Sequence, residues 1–199
     1  MAGQSRRFGA LLLWAVPVLA ALLCLGFGRY ALSTGDTLRV LLSPLTGAEI
    51  APMERSVVFG VRLPRVLTAL CCGAALALSG AAFQSLFNNP LATPDTLGVS
   101  SGASCGAVAA LMFRLDMVSV QLFALCFGLG AVALTWNISK VRGKNSIIMI
   151  VLSGLVIGAL FEAAVSLLKY VADPEEVLPT ITYWLMGSLS AANYSTLLI

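Results

Sequence analysis

Long apolar tracts that carry no charge are the feature of this sequence that most constrains its fold. Each approaches the roughly 20 residues that an α-helix needs to cross the hydrocarbon core of a membrane. Only 11% of the residues are charged, against about 25% in a typical soluble domain. The sequence therefore predicts an all-α fold, a polytopic bundle of transmembrane helices. The charge-free tracts run from Phe8 to Gly28, Val66 to Phe87, Thr96 to Phe113, Met117 to Ser139 and Asn145 to Phe161.

Residues 1–199 are interpreted as one transmembrane domain, because no internal repeat and no low-complexity linker divides them. The first tract is longer than the roughly 7 to 15 apolar residues of a signal peptide, so we expect a retained helix there. The chain is still apolar when it reaches Ile199. The expected spans cover about residues 8–28, 66–87, 96–113, 117–139 and 146–170, with an incomplete span at 190–199.

Loop charge predicts the orientation, because cytoplasmic loops carry an excess of Lys and Arg. Arg6 and Arg7 precede the first tract, and the loop 140–144 adds three cations without an acid. We therefore expect the N-terminus and that loop in the cytoplasm, and the acidic residues 173–176 outside. The segment 29–65 also falls outside, and its five arginines against three acids require an explanation.

Composition argues against several classes of function. Histidine is absent, and the five cysteines lie in apolar tracts with no C-x-x-C pair, so neither a metal site nor a cofactor is expected. The net charge of +3 is too small to suggest nucleic acid as a partner. No G-x-x-x-x-G-K-[ST] loop occurs, so an ATP site would have to lie on another chain.

Residues 98–102 match the G-x-S-x-G pattern of a catalytic serine. A serine nucleophile needs a base to take its proton, and histidine is the usual one. The chain has no histidine, and its three lysines fall at helix ends or in loops. We therefore expect no catalytic residue here.

Two prolines predict a break between the second and third tracts. Pro90 and Pro94 each remove an amide donor and disfavour helix at the preceding residue. Residues 88–95 should therefore be irregular, with Asp95 or Thr96 capping the next helix. Irregular backbone at membrane depth is tolerated only where protein buries it or where it lines a watery cavity. The break is therefore a candidate part of a pathway.

Small residues recur at a spacing of four, as in the pair Gly154 and Gly158. Close helix packing is the main interpretation, and the alternative is that some of them line a path, for which the candidates are Gly98, Ser100, Ser101 and Gly102. Glu162 is a possible intramembrane charge. It is interpreted either as a hydrated residue near a helix end or as part of a cavity wall.

Three ordered motifs carry more specific information. R-L-P-R spans residues 62–65, N-P-L-A-T-P-D-T-L-G-V-S-S-G spans 89–102, and W-x-x-G-S spans 184–188. Together with Leu-Ser-Gly at 152–154 they resemble the FecCD family of permease subunits, which serve ABC importers for iron-siderophores, haem and cobalamin. The resemblance implies a ten-helix subunit in a bacterial or archaeal plasma membrane. On that basis the chain is expected to be a C-terminally truncated permease with about six spans.

The resemblance also implies partners and residue roles. The partners would be a second permease copy or a paralogue, a cytoplasmic ATPase dimer and an extracytoplasmic substrate-binding protein, all at the lipid membrane. Arg62 and Arg65 would dock the binding protein. Asn89 and Leu91 would form the inner gate, with Asn145 and Ser146 as weaker candidates, although a purely structural helix break is the alternative.

Other functions remain open from the sequence. A secondary transporter would use an intramembrane acidic relay, for which Glu162 is the single candidate. A non-transporting membrane assembly subunit is the other alternative. The sequence leaves open the identity of the cargo and the choice between homodimer and heterodimer.

Overall fold

The computed structural model of the chain describes residues 2–90, 92–140 and 147–197, with side chains described from Trp14 onward except at Thr196. Every regular element within those ranges is a helix, which confirms the all-α prediction. A π-helix, Ser56–Arg62, leads into α4, and a 3-10 turn, Pro94–Leu97, precedes α5. The α-helices are α1 Ala2–Gly26, α2 Thr34–Thr46, α3 Pro52–Arg55, α4 Leu63–Phe87, α5 Val99–Met112, α6 Met117–Ser139, α7 Ile147–Val171, α8 Val177–Met186 and α9 Tyr194–Leu197.

Three helical stretches in the described part of the chain are long and apolar enough to cross a membrane. They are Pro52–Phe87, Met117–Ser139 and Ile147–Val171. The helix α5 is shorter, at 14 residues, because the expected tract from Thr96 opens with a 3-10 turn. The backbone forms two compact units, Met1–Ala75 with Leu189–Ile199 and Leu76–Ser188. The single transmembrane domain stays a prediction.

In the first unit, the segment 29–65, which the charge pattern places outside the membrane, is largely helical. Ser33 caps the start of α2, since its Oγ accepts a hydrogen bond from the amide of Asp36 over 3.1 Å. Gly47 ends α2 in the left-handed conformation with φ 66°, and its amide donates to the Ser43 carbonyl. Val40 of α2 is fully buried. Serine at the start and glycine at the end are common cap residues, so both ends of α2 could have been predicted from the sequence.

In the second unit, glycines allow α5 to pack closely against α6. A Cβ at Gly106 would meet the Phe123 carbonyl oxygen, and one at Gly102 would lie 2.8 Å from the Phe127 carbonyl oxygen. Backbones that approach this closely gain packing contacts without a hydrophobic drive. Ala107, Val108 and neighbouring apolar side chains form the buried core beside this contact.

One end of the second unit carries an ion-pair cluster. Arg114 follows α5 in a left-handed conformation with φ 54°, and its Nη2 lies 2.7 Å from a carboxylate oxygen of Glu176 and 3.7 Å from one of Asp173. The connection from α5 to α6 therefore lies at the same end as the connection from α7 to α8. The topology inferred from loop charge requires that arrangement, and which side of the membrane this end faces remains a prediction.

Candidate functional site

The chain breaks where the two prolines predict it. The helix α4 ends at Phe87, and Asn88 adopts a left-handed conformation with φ 47°, which an Asn side chain tolerates better than most. The amides of Asn88 and Asn89 donate to the Ser85 and Gln84 carbonyl oxygens. These two bonds satisfy carbonyl groups in the last turn of α4, which would otherwise have no partner because the helix ends there.

The predicted cap of α5 is wrong. Gly98 occupies the cap position with φ 74°, and no side chain closes the helix there. Asp95 and Thr96 belong instead to the 3-10 turn, in which the Thr96 hydroxyl donates to the Thr93 carbonyl oxygen over 2.6 Å. The positive φ favours glycine at 98, and the packing favours it as well, because a Cβ there would lie in tight contact with the Gly158 amide nitrogen, at 3.1 Å.

The end of this break is held against two helices. Thr135 of α6 is fully buried, and its hydroxyl donates to the Leu97 carbonyl oxygen over 3.0 Å. On the opposite side of the break, Gly154 of α7 leaves room for the backbone of Thr96 and Leu97. A Cβ at 154 would meet the Thr96 carbonyl oxygen and lie 2.9 Å from the Leu97 Cα. The irregular backbone is thus partly buried in protein, which is one of the two settings in which such backbone is tolerated within a membrane.

An open polar groove runs along α5 and α7 from this break. We call it the α5–α7 groove; its volume is about 940 Å³. Its charged residues are Asp95, Glu162 and Lys169. The groove is unusual because α5 and α7 are apolar over most of their surface. Its hydroxyl-bearing residues are Thr93, Thr96, Ser100, Ser101, Ser104 and Ser166.

A hydrogen bond between Ser101 and Glu162 links the two walls of the groove. The Ser101 hydroxyl donates to Glu162 Oε1 over 3.2 Å. Gly158 lies one turn before Glu162, and a Cβ there would be in ordinary van der Waals contact with Ser101 Oγ, at 3.6 Å. Within the described residues no Lys or Arg forms an ion pair with Glu162. The Glu162 side chain therefore accepts a hydrogen bond from one hydroxyl group and otherwise faces the open groove.

The structure separates the predicted path residues into three groups. Gly98, Ser100 and Ser101 line the groove, whereas Gly102 is buried against α6. Asn89 lies half-buried in the turn after α4 and is not among the groove-lining residues. The other gate candidates, Leu91, Asn145 and Ser146, lie outside the described residues.

The two arginines of the R-L-P-R motif bind backbone carbonyl groups. Arg62 is 6% exposed; its Nη1 donates to the Leu25 and Gly26 carbonyl oxygens over 2.7 and 3.2 Å, and its Nη2 donates to the Tyr30 carbonyl oxygen. Arg65 donates from Nε to the Leu189 carbonyl oxygen over 3.0 Å and from Nη2 to that of Ser190 over 3.1 Å. No pattern in the sequence revealed these partners, because all of them are backbone atoms distant along the chain.

Comparison with known proteins decides the family. The model of the FecCD transport family matches residues 15–199. The chain belongs to the FecCD transport family. The resemblance of its motifs is thereby confirmed.

Curated relatives resemble this chain over most of its length. The molybdate import system permease protein MolB of Haemophilus influenzae is 43% identical over 181 residues, which cover 91% of this chain and 54% of MolB. The hemin transport system permease protein HmuU of Yersinia pestis is 40% identical and covers 70% of this chain and 43% of HmuU. The vitamin B12 import system permease protein BtuC of Escherichia coli is 33% identical, covering 89% and 51%.

A solved structure also resembles this FecCD chain. It is described as an inward-facing conformation of a metal-chelate type ABC transporter, and it aligns with a TM-score of 0.77 and 41% identity. The alignment covers 96% of this chain and 56% of that one. The chain thus spans about half the length of the relatives it matches.

Proposed function

We propose that this chain forms part of the permease subunit of an ATP-driven ABC importer. The observation that carries the proposal is the α5–α7 groove, a polar surface along two apolar helices that begins at a buried break in the chain. Family membership supports it, since the named relatives are import permeases. The protein would perform no chemistry itself and would sit in the plasma membrane as a multi-pass subunit with its N-terminus in the cytoplasm.

The α5–α7 groove is proposed as one wall of the translocation path. Hydroxyl groups and a carboxylate keep such a wall hydrated, whereas a groove of this polarity facing lipid would be costly. A second permease copy, or a paralogue, would supply the opposite wall. Asn89, Leu91, Asn145 and Ser146 remain proposed residues of the inner gate.

Arg65 is proposed to dock the binding protein. Its guanidinium uses Nε and Nη2 on the Leu189 and Ser190 carbonyl oxygens, and its Nη1 donors remain available for a partner carboxylate. Arg62 is a weaker candidate for direct contact because it is buried. Two cytoplasmic ATPase subunits would complete the importer.

The proposed cargo is a metal-containing nutrient such as an iron-siderophore, haem or cobalamin. HmuU and BtuC carry hemin and vitamin B12 in their names, and the solved relative is of metal-chelate type. MolB is named for molybdate, so a small oxyanion must be tested beside the chelates. The groove favours none of them by shape, since it is open along its length.

Reconstituted uptake tests the proposal. The full-length permease would be placed in proteoliposomes with its ATPase and binding protein, and accumulation of a ferric siderophore, haemin, cobalamin and molybdate would be measured. We expect ATP-dependent accumulation of at least one of these, abolished by an ATPase variant that binds but does not hydrolyse ATP. Uptake driven by an ion gradient without ATP would instead establish a secondary transporter. A permease that associates with no ATPase would instead be an assembly subunit.

A further inference from the structure

An apolar cavity at one end of the second unit carries an inference that goes beyond the proposed function. It has a volume of about 470 Å³ and lies where α4 and α6 end and α7 begins. Phe83 and Phe87 of α4, Trp136 of α6, and Ile147 and Ile150 of α7 contribute to its walls. Every residue that lines it is apolar, and its size falls within the roughly 300 to 1,000 Å³ of typical ligand pockets. The cavity therefore suits a hydrocarbon group.

A lysine lies beside the wall of this cavity. Lys140 Nζ lies 5.0 Å from the centroid of the Trp136 ring, which is within the distance of about 6 Å at which a cation is attracted to an aromatic face. Lys140 is exposed, and within the described residues it forms no ion pair with a carboxylate. Its charge is thus held next to the apolar cavity and stays available to an anion.

The electrostatics around Lys140 also favour an anion. The helix α7 begins at Ile147 beside the cavity, and the start of a helix carries a partial positive charge. The end of α6 carries a partial negative charge that opposes an anion, but this charge of about one half is smaller than the full charge of Lys140. In the sequence, the loop 140–144 holds three cations and no acid. A ligand that matches both the cavity and its charge has a hydrocarbon tail and an anionic head.

We propose that this cavity binds an acyl chain of an anionic phospholipid, whose phosphate pairs with Lys140. Basic pockets between membrane helices bind anionic headgroups. Trp136, which is 46% exposed, is of a residue type enriched at the level of those headgroups. No residue lines both this cavity and the α5–α7 groove, so the lipid site is separate from the proposed path. The inference requires a membrane, and it holds for either orientation of the chain and whether or not the chain transports.

Lipid binding by the full-length permease tests this site. The purified protein would be titrated in detergent with phosphatidylglycerol and with phosphatidylcholine of the same acyl chains, and the bound lipid would be counted by native mass spectrometry. We expect the wild type to prefer phosphatidylglycerol. Lys140→Gln should weaken phosphatidylglycerol binding about fivefold, a factor that corresponds to about 1 kcal/mol for one lysine at an anionic headgroup, and should leave phosphatidylcholine binding unchanged. Glycerol phosphate, which has the head but no acyl chain, should not bind.

A second variant tests the apolar part of the site. Val132 lines the cavity from α6, so Val132→Phe should fill it and weaken the binding of both phospholipids while Lys140 remains. Leu125→Phe is the matched control, because Leu125 is exposed on the same helix and does not line the cavity. Lys169→Gln removes a cation of the α5–α7 groove and should keep the lipid preference.

Three outcomes would overturn the lipid site. The first is equal affinity of the wild type for the two phospholipids. The second is a Lys140→Gln variant that keeps the wild-type preference. The third is unchanged phosphatidylglycerol binding by Val132→Phe, which would mean that protein, such as another helix of the permease, fills the cavity.

Discussion

At the scale of single residues, two hydroxyl groups form hydrogen bonds between separate elements of the second unit. Ser101 donates to Glu162 across the α5–α7 groove, and Thr135 donates to the Leu97 carbonyl oxygen behind it. The first bond is open to the groove, and the second is fully buried. Their loss should therefore affect different properties, transport for Ser101 and stability for Thr135.

Ser101→Ala is expected to slow uptake while the protein remains folded. The variant removes the hydroxyl that orients the Glu162 carboxylate, and a bond to a charged group contributes about 1.5 to 3 kcal/mol when buried and less in an open groove. We expect roughly a three- to tenfold lower initial rate in proteoliposomes. Ser104→Ala is the control, since Ser104 lines the same groove. Equal rates for the two variants would contradict a role for the Ser101–Glu162 bond.

Thr135→Val is expected to lower the thermal stability. Valine has the same shape but leaves the Leu97 carbonyl oxygen buried without its donor, which costs about 1 to 3 kcal/mol. Thr182→Val serves as the comparison, because the exposed Thr182 hydroxyl donates only to the Leu178 carbonyl oxygen of its own helix. The measurement is the melting temperature in detergent. A melting temperature for Thr135→Val that matches Thr182→Val would show that Thr135 does not hold the break.

At the scale of elements, glycine contacts and helix caps fix α5, α6 and α7. Gly102 and Gly106 bring α5 against α6, and Gly154 brings α7 against the 3-10 turn. Asp116 caps α6, where its Oδ2 accepts from the amides of Val118 and Ser119 over 3.1 and 3.4 Å. Packing and capping of this kind can be tested one helix at a time.

Gly106→Ala is expected to destabilise the contact between α5 and α6. The added methyl group would meet the backbone carbonyl of Phe123, which cannot rotate away, and overpacking of this kind costs about 1 to 3 kcal/mol. Gly130→Ala is the matched control on α6, where no atom lies within 4 Å of the added Cβ. Its melting temperature should stay the same or rise slightly. Equal destabilisation by both variants would contradict the close-packing account.

The cap of α6 predicts a pH dependence. The Ser119 hydroxyl donates to Asp116 over 2.7 Å, and this bond, with the Ser119 amide, holds the pKa of Asp116 below its ordinary value. The stabilisation is therefore present above the unfolded pKa of about 3.9 and is lost as the pH falls through the lower folded pKa. The difference in melting temperature between the wild type and Asp116→Ala should shrink toward acid pH. A difference that stays constant down to about pH 3 would contradict this assignment.

At the scale of the whole molecule, the sequence predicted what depends on local pattern. Apolar tracts predicted the three long apolar helical stretches of the described residues, and Pro90 and Pro94 predicted the break after α4. The helix α2 was also predictable from its cap residues Ser33 and Gly47. It is short, however, and the polar residues around it resemble those of a loop.

What the sequence could not reveal are contacts between distant segments. The sequence predicts a possible intramembrane charge at Glu162 but not its partner, which is Ser101, 61 residues away. The family resemblance implies a docking role for Arg62, but the sequence does not show that its hydrogen-bond acceptors within the chain are the carbonyl oxygens of Leu25, Gly26 and Tyr30. Gly98 takes the cap position instead of Asp95 or Thr96, because the backbone there has φ 74° and lies in tight contact with α7. In each case tertiary packing decided the outcome.

Cysteine accessibility in the assembled transporter tests the central claim, that the α5–α7 groove walls a hydrated path, most directly. A single cysteine would replace Ser100 in a background without the five native cysteines, with Leu125→Cys on the exposed apolar surface of α6 as control. We expect a membrane-impermeant thiol reagent to label Ser100→Cys, at a rate that changes when ATP binds, and to leave Leu125→Cys unlabelled. If Ser100→Cys is unreactive with and without ATP, the groove faces lipid or protein and is not a path.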